Sequence, residues 1–248
     1  MIDFIQDFIN SKNLSENSKI AYFYDLQQFA DSVNGKISKE KLALYEQSLS
    51  NFKISAIKRK ISAVNQFLYF LYETEKLDTF YKLSNKYRLP VQTISSNLLD
   101  YAIFYQETSE LQGQLIVLLM AELGLSPTDL QELKLVDIDF SFSVLQVRKS
   151  GRLRILEIPT PLLLHIENQV SDSEKMVYLF DNQGKAYSRQ WFFNRLKIFL
   201  GQLGRDDLTA RTIRQQYILH QKEAGRSLLE VSRSLGLKSP VTLEKFYR

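Results

Sequence analysis

Residues 121–159, AELGLSPTDLQELKLVDIDFSFSVLQVRKSGRLRILEIP, change their periodicity twice. Up to Leu125 the stretch closes an apolar helical run. Ser126 and Pro127 then open a second helix, a hydroxyl able to cap free N–H groups followed by a ring whose fixed φ suits the first helical position. From Val136 the pattern becomes strand-like in three short runs, VDIDF (136–140), SVLQVRK (143–149) and RILEIP (154–159). Ser150-Gly151-Arg152 between the last two reads as a hairpin-like turn. One small three-stranded antiparallel sheet inside an otherwise helical chain sets the fold class as mainly α.

Helical patterns flank this sheet on both sides. Upstream lie LLDYAIFYQETS (98–109) and GQLIVLLMAELGL (113–125); downstream lie TPLLLHIENQV (160–170), SRQWFFNRLKIFLGQL (188–203), TARTIRQQYILHQKEAG (209–225) and SLLEVSRSLGL (227–237). The first eighty residues carry no strand signal. In NSKIAYFYDLQQFADSV, Tyr22, Leu26, Phe29 and Val33 share one helix face, and Asn17 or Ser18 can cap it. Ser38 opens a helix over KISKEKLALYEQSL. The strongest pattern in this half is ISAIKRKISAVNQFLYFLYETEKL, with an apolar stripe through Ile61, Val64, Phe67, Leu68 and Leu71. These predict a small helical bundle over residues 1–80. DTFYKLSNKYRLPVQTISSN loses periodicity around Pro90, so residues 81–95 read as a linker and 96–248 as a larger α+β domain.

The 248 residues include no cysteine and only two histidines, His165 and His220, which excludes thiol chemistry and sulfur-based zinc sites and leaves little for a metal. No apolar run approaches the roughly 18 residues needed to span a bilayer, and MIDFIQDFIN has no basic leader. A cytoplasmic protein with no membrane partner is expected. The net charge is only +4, yet residues 91–147 hold eight acids and one base, while 148–248 hold eighteen bases and ten acids. The C-terminal part is therefore the candidate face for a polyanion.

Three features within it carry chemistry. Arg211 and Arg214, spaced i, i+3, place two guanidinium groups on one helix face near its N-terminus, an arrangement that suits a phosphate; the plainer alternative is an amphipathic surface helix. Lys149 stands at the hairpin tip with Arg148, Arg152 and Arg154 beside it, a basic hairpin that suits a DNA groove or plain solvation. Tyr247, next to last, is a packing aromatic or a nucleophile. His220 faces away from the arginines and reads as structural or exposed, and His165, on an apolar helix, reads as a packed histidine.

Taken in order, these segments resemble the tyrosine recombinases and phage-type integrases, most closely the bacterial Xer recombinases, over nearly the whole chain. NLSENSKIAYFYDLQQFA and ISAIKRKISAVNQFLYFLYETEKL are similar to the first and last helices of the family's SAM-like core-binding domain. AELGLSPTDLQELKLVDIDF resembles its first catalytic box, VRKSGRLRILEIP its lysine hairpin, and LTARTIRQQYILHQKEAG with VSRSLGLKSPVTLEKFY its second box. The resemblance implies double-stranded DNA and other recombinase protomers as partners and no cofactor. It implies that the Tyr247 phenol attacks a phosphodiester, leaving a 3′-phosphotyrosyl link and a free 5′-hydroxyl, so that rejoining needs neither ATP nor metal. Arg214 is then the phosphate clamp and Lys149 the general acid for the departing oxygen. Lys58, Arg59 and Lys60, with the hairpin arginines Arg148, Arg152 and Arg154, are the expected DNA contacts.

Three positions depart from the family pattern. Ser126 stands where the first box carries arginine, Arg211 where the second opens with histidine, and Leu237 where LGH is expected. Beyond the tyrosine, where relatives of this kind carry a docking tail, only Arg248 follows. Losing one oxyanion donor lowers a rate roughly 10²–10³-fold, and Arg211 is the candidate substitute. The expectation is DNA binding with weak or absent cleavage; the alternative is a non-catalytic, architectural DNA-binding protein derived from the family, and a third reading is a helical adaptor that ignores DNA.

Overall fold

In the computed structural model the described residues are 2–84, 86–87, 97–149, 151–170 and 176–247, without the side chains of Ile2 and Lys149. Most of the expected linker, the hairpin tip at Ser150 and the terminal Arg248 thus lie outside them. The chain divides into two compact units, Met1–Gln92 and Thr93–Arg248.

The first unit holds helices α1 (Ile2–Asn10), α2 (Glu16–Ser32), α3 (Lys39–Ser48) and α4 (Ile54–Glu73). Every residue of the α4 stripe is buried, with Ile57 added one turn ahead, and Phe67 meets the ring of Phe8 edge-on at 5.6 Å. Burying side chains of this size stabilises the unit by about 1.5–3 kcal/mol each. Ser38 caps α3 as its position predicts, its Oγ accepting from the Lys41 N–H. The cap of α2 is Ser15 instead of Asn17 or Ser18, because Ser15 holds the extended backbone of a cap while the other two are already helical. The chain beyond α4 turns back on it: Leu83 is buried in this core, and Asn65 clasps its backbone, accepting from the Leu83 N–H at 2.7 Å and donating to its carbonyl at 3.0 Å.

In the second unit α5 (Leu111–Leu123) is apolar all round and almost wholly buried, as expected of a central helix. α6 (Pro127–Glu132) follows, then β1 (Ile138–Asp139), β2 (Val144–Lys149) and β3 (Arg152–Glu157), an antiparallel sheet in the order β1-β2-β3. Next come α7 (Thr160–Val170), β4 (Asp181–Asn182), β5 (Lys185–Ala186), α8 (Arg189–Gln202), α9 (Ala210–Glu223), α10 (Leu228–Ser234) and α11 (Glu244–Tyr247). A mainly helical chain with one three-stranded sheet is the predicted fold class.

Two elements differ from the sequence reading. The helix expected over 98–109 is only a 3₁₀ turn, Tyr101–Tyr105. The buried Gln114 side chain donates to the carbonyls of Phe104 and Gln106, and those bonds hold the backbone out of an α-helix. Ahead of that turn the chain is pinned to α9: Gln216 accepts from the Leu99 N–H and donates to the Asn97 carbonyl, and His220 Nε2 lies 2.9 Å from the Leu99 carbonyl with its ring 4.2 Å from Tyr101. The hairpin β4–β5 is the other unpredicted element. Its two-residue turn has Gln183 at φ 55° and Gly184 at φ 81°, the left-handed pair that matches strand twist.

Candidate active site

Alternation along β3 decides what the hairpin offers. Arg154, Leu156 and Ile158 face inward, while Leu153 and Ile155 are 53% and 65% exposed. Arg154, only 6% exposed, is therefore no surface cation. Its Nη2 donates to Asp129 Oδ1 at 3.0 Å and its Nη1 to the Ser234 carbonyl at 3.1 Å. Arg154, one of the expected DNA contacts, is thus turned inward and engaged within the unit.

Asp129 owes its place to the start of α6. Ser126 caps that helix, and the Asp129 carboxylate reaches back three residues to accept from the Ser126 N–H at 2.8 Å and its hydroxyl at 2.6 Å. The residue standing where an arginine was expected is thus a helix cap.

Thr209 caps α9 and sets Arg211 and Arg214 on its first turns. The two arginines line one cleft of about 200 Å³ together with Leu237, Thr242, Lys245 and Phe246. Arg211 is exposed; Arg214 is half-buried and donates weakly to the Leu235 carbonyl at 3.4 Å. Burial holds the Arg214 guanidinium below its ordinary pKa, Asp129 opposes that shift, and the charge of Arg154 adds to it.

The turn after α10 gathers three arginines. Leu237 N–H returns to the Ser232 carbonyl and Gly236 N–H to that of Arg233, with Gly236 at φ +64°, so the helix ends in a Schellman turn. The next carbonyls have no backbone partners of that kind. Arg154 takes Ser234, Arg214 takes Leu235, and Arg152 takes Leu237 at 3.1 Å. Cations at a helix C-terminus also oppose its dipole.

Tyr247 contacts the C-terminal end of α9, whereas Arg211 and Arg214 stand on its first turns. α11 buries Phe246 and leaves Tyr247 half-exposed, with its hydroxyl donating to the Arg226 carbonyl at 2.9 Å and Lys222 Nζ 5.9 Å from its ring centre. Burial first, then the charges of Glu230 and Tyr217, push its phenol above the ordinary value. Among the described residues no hydrogen bond joins Tyr247 to Arg214. Lys149 ends β2 opposite Arg152, and its side chain lies outside the description. Arg148 and Arg152 are exposed beside it.

In the first unit the three expected cations part company. Lys58 is half-buried and Arg59 exposed, Arg59 reaching Asp25 at 3.1 Å. Lys60 is 4% exposed, with Nζ 2.9 Å from Asp25 and bonded also to Gln28. It faces the core because position 60 lies on the same side of α4 as Ile57, Ile61 and Val64, so this expected DNA contact is turned inward. Sequence reasoning passed over Asp25 and Asp129. The Ser126-x-x-Asp129 spacing, a capping box, was the available signal for the second; nothing local marks the first.

Among the described residues, none of the acids and histidines gather into a metal-binding group, and no helix is long and apolar enough to cross a membrane. No family model matches the chain. Among curated proteins it is 49% identical over 248 residues, all of both chains, to the tyrosine recombinase XerD-like of Streptococcus mutans serotype c. It is 42% identical to the protein of that name from Streptococcus sanguinis, covering 99% of this chain and all of the other. Among solved structures, the Tn1549 transposon integrase in complex with circular intermediate DNA matches all of this chain and 94% of its own, with a TM-score of 0.78 at 11% identity. A lambda integrase dimer bound to a COC′ core site matches all of this chain and 95% of its own, with a TM-score of 0.73 at 15% identity. These structural likenesses establish a shared fold, and the full-length identities establish descent: the chain belongs to the tyrosine recombinase family, in its XerD-like branch.

Proposed function

We propose that the protein binds duplex DNA and cuts and rejoins it slowly through a 3′-phosphotyrosyl intermediate at a reduced site. The observation that carries this reading is the cleft in which Arg211 and Arg214 face the helix that bears Tyr247. The Tyr247 oxygen forms a bond to phosphorus as the bond to the 5′-oxygen breaks. The phenol proton leaves, and Lys149 returns one to the departing oxygen. Arg214, with Arg211 one turn away, meets the charge that builds on the phosphate. The half-buried Lys58, the exposed Arg59 and the hairpin's Arg148 and Arg152 meet backbone phosphates elsewhere. Relatives solved as DNA complexes and as a dimer support duplex DNA and further protomers as partners.

A second reading, DNA binding without chemistry, is favoured by the use of Ser126 as a helix cap and by the hold of the Arg226 carbonyl on the Tyr247 hydroxyl. A nicked suicide duplex separates the two. Wild type gives a covalent protein–DNA adduct that Tyr247→Phe abolishes; no adduct, with a retained salt-dependent gel shift, establishes the second reading instead. No shift at any salt concentration overturns both.

A further inference from the structure

Arg154 occupies the least expected place in the second unit. The strand that carries it exposes Leu153 and Ile155 and buries the arginine, the reverse of what hydrophobicity alone selects. A buried ion pair is often replaceable by apolar side chains with no loss of stability, so packing does not explain the choice. Its contacts point elsewhere. Asp129, its carboxylate partner, is held by the cap at Ser126, the position at which the resemblance expects an arginine. Its other donor goes to the Ser234 carbonyl, the neighbour of the Leu235 carbonyl that receives Arg214. Its Nε is buried without a partner and lies against Gly236, where a Cβ would come within 3.1 Å of Arg154 Cδ and Nε.

We propose that Arg154, on β3, is the positioning residue for Arg214. It fixes the turn at 234–236 from below while Arg214 holds the same turn from α9. Arg154 reaches no phosphate itself. The proposal rests on the reading of Arg214 as a phosphate-binding group.

The test compares wild type with Arg154→Lys and Arg154→Leu by nitrogen-15 NMR of the arginine side chains, the Arg214 signal being assigned by its loss in Arg214→Lys. The same proteins are assayed for adduct on the nicked duplex. Lysine keeps the charge but cannot bridge Asp129 and the Ser234 carbonyl as a planar fork does. Solvent exchange of the Arg214 guanidinium protons is therefore expected to quicken roughly tenfold in a folded Arg154→Lys, and adduct formation to slow roughly 10²-fold. Unchanged Arg214 exchange in folded Arg154→Lys overturns the proposal whatever the DNA does. So does quicker exchange with an unchanged adduct rate. If Arg154→Leu does not fold, the lysine variant alone decides. If wild type forms no adduct, the cleavage reading falls, and the exchange comparison still decides whether Arg154 positions Arg214.

Discussion

The Tyr247 hydroxyl donates to the carbonyl of Arg226 at 2.9 Å, so the one candidate nucleophile is engaged by the loop between α9 and α10. A phenol held by a carbonyl keeps its proton, since a carbonyl accepts from the neutral form and offers nothing to the phenolate. Breaking that bond is the first step any cleavage must take.

The pH dependence follows from the surroundings of the same phenol. Burial, then Glu230 and Tyr217, raise the Tyr247 pKa, so the folded chain holds this proton where the unfolded chain, at about 10, begins to lose it. The group therefore favours folding below that value, and the contribution is lost as pH rises through the folded pKa. For the reaction, the phenolate fraction grows with pH. Adduct yield in a fixed time should climb between about pH 7 and pH 9, and Glu230→Gln should raise it at a given pH. A flat profile in wild type counts against Tyr247 as an unassisted nucleophile.

Arg148 and Lys60 should behave differently on DNA. Arg148→Ala removes an exposed cation and is expected to reduce the slope of log affinity against log salt by about 0.9. Lys60→Met, at a buried position, should leave that slope unchanged. Gel shifts at several salt concentrations decide it; equal slopes for wild type and Arg148→Ala would remove the hairpin from the DNA interface.

Asp25→Ala is expected to destabilise the protein by about 3–5 kcal/mol, because Lys60 is then left buried with its charge uncompensated. Urea unfolding measures it. A loss below about 1 kcal/mol, the value of an exposed pair, would mean that Lys60 reaches water.

Gly236→Ala should cost about 1–3 kcal/mol, since alanine at a left-handed φ is strained and its Cβ presses on Arg154. The same unfolding measurement checks it, and Gly225→Ala, with positive φ but open space, separates strain from contact.

The helices, the sheet and the order of the candidate residues were legible because they follow local rules: the stripe through Ile61, Val64, Phe67, Leu68 and Leu71, the Ser38 cap and the alternation along β3. What was illegible depends on partners far away in sequence. Lys60 and Arg154 look like surface cations until Asp25 and Asp129 are placed beside them, 35 and 25 residues away. Residues 98–109 look helical until Gln114 claims the carbonyls of Phe104 and Gln106. The candidate site was thus readable as a set of residues, and its inward-facing arginine was not.

The clasp of Gln216 and His220 on residues 97–99 has a mechanical consequence. Both side chains belong to α9, two and six residues beyond Arg214, so the backbone at residues 97–99 is leashed to the helix bearing the clamp. A tug on that leash loads α9 through three hydrogen bonds before the packed interior need yield. Strain on residues 97–99 would be felt at the arginines as a displacement of their helix.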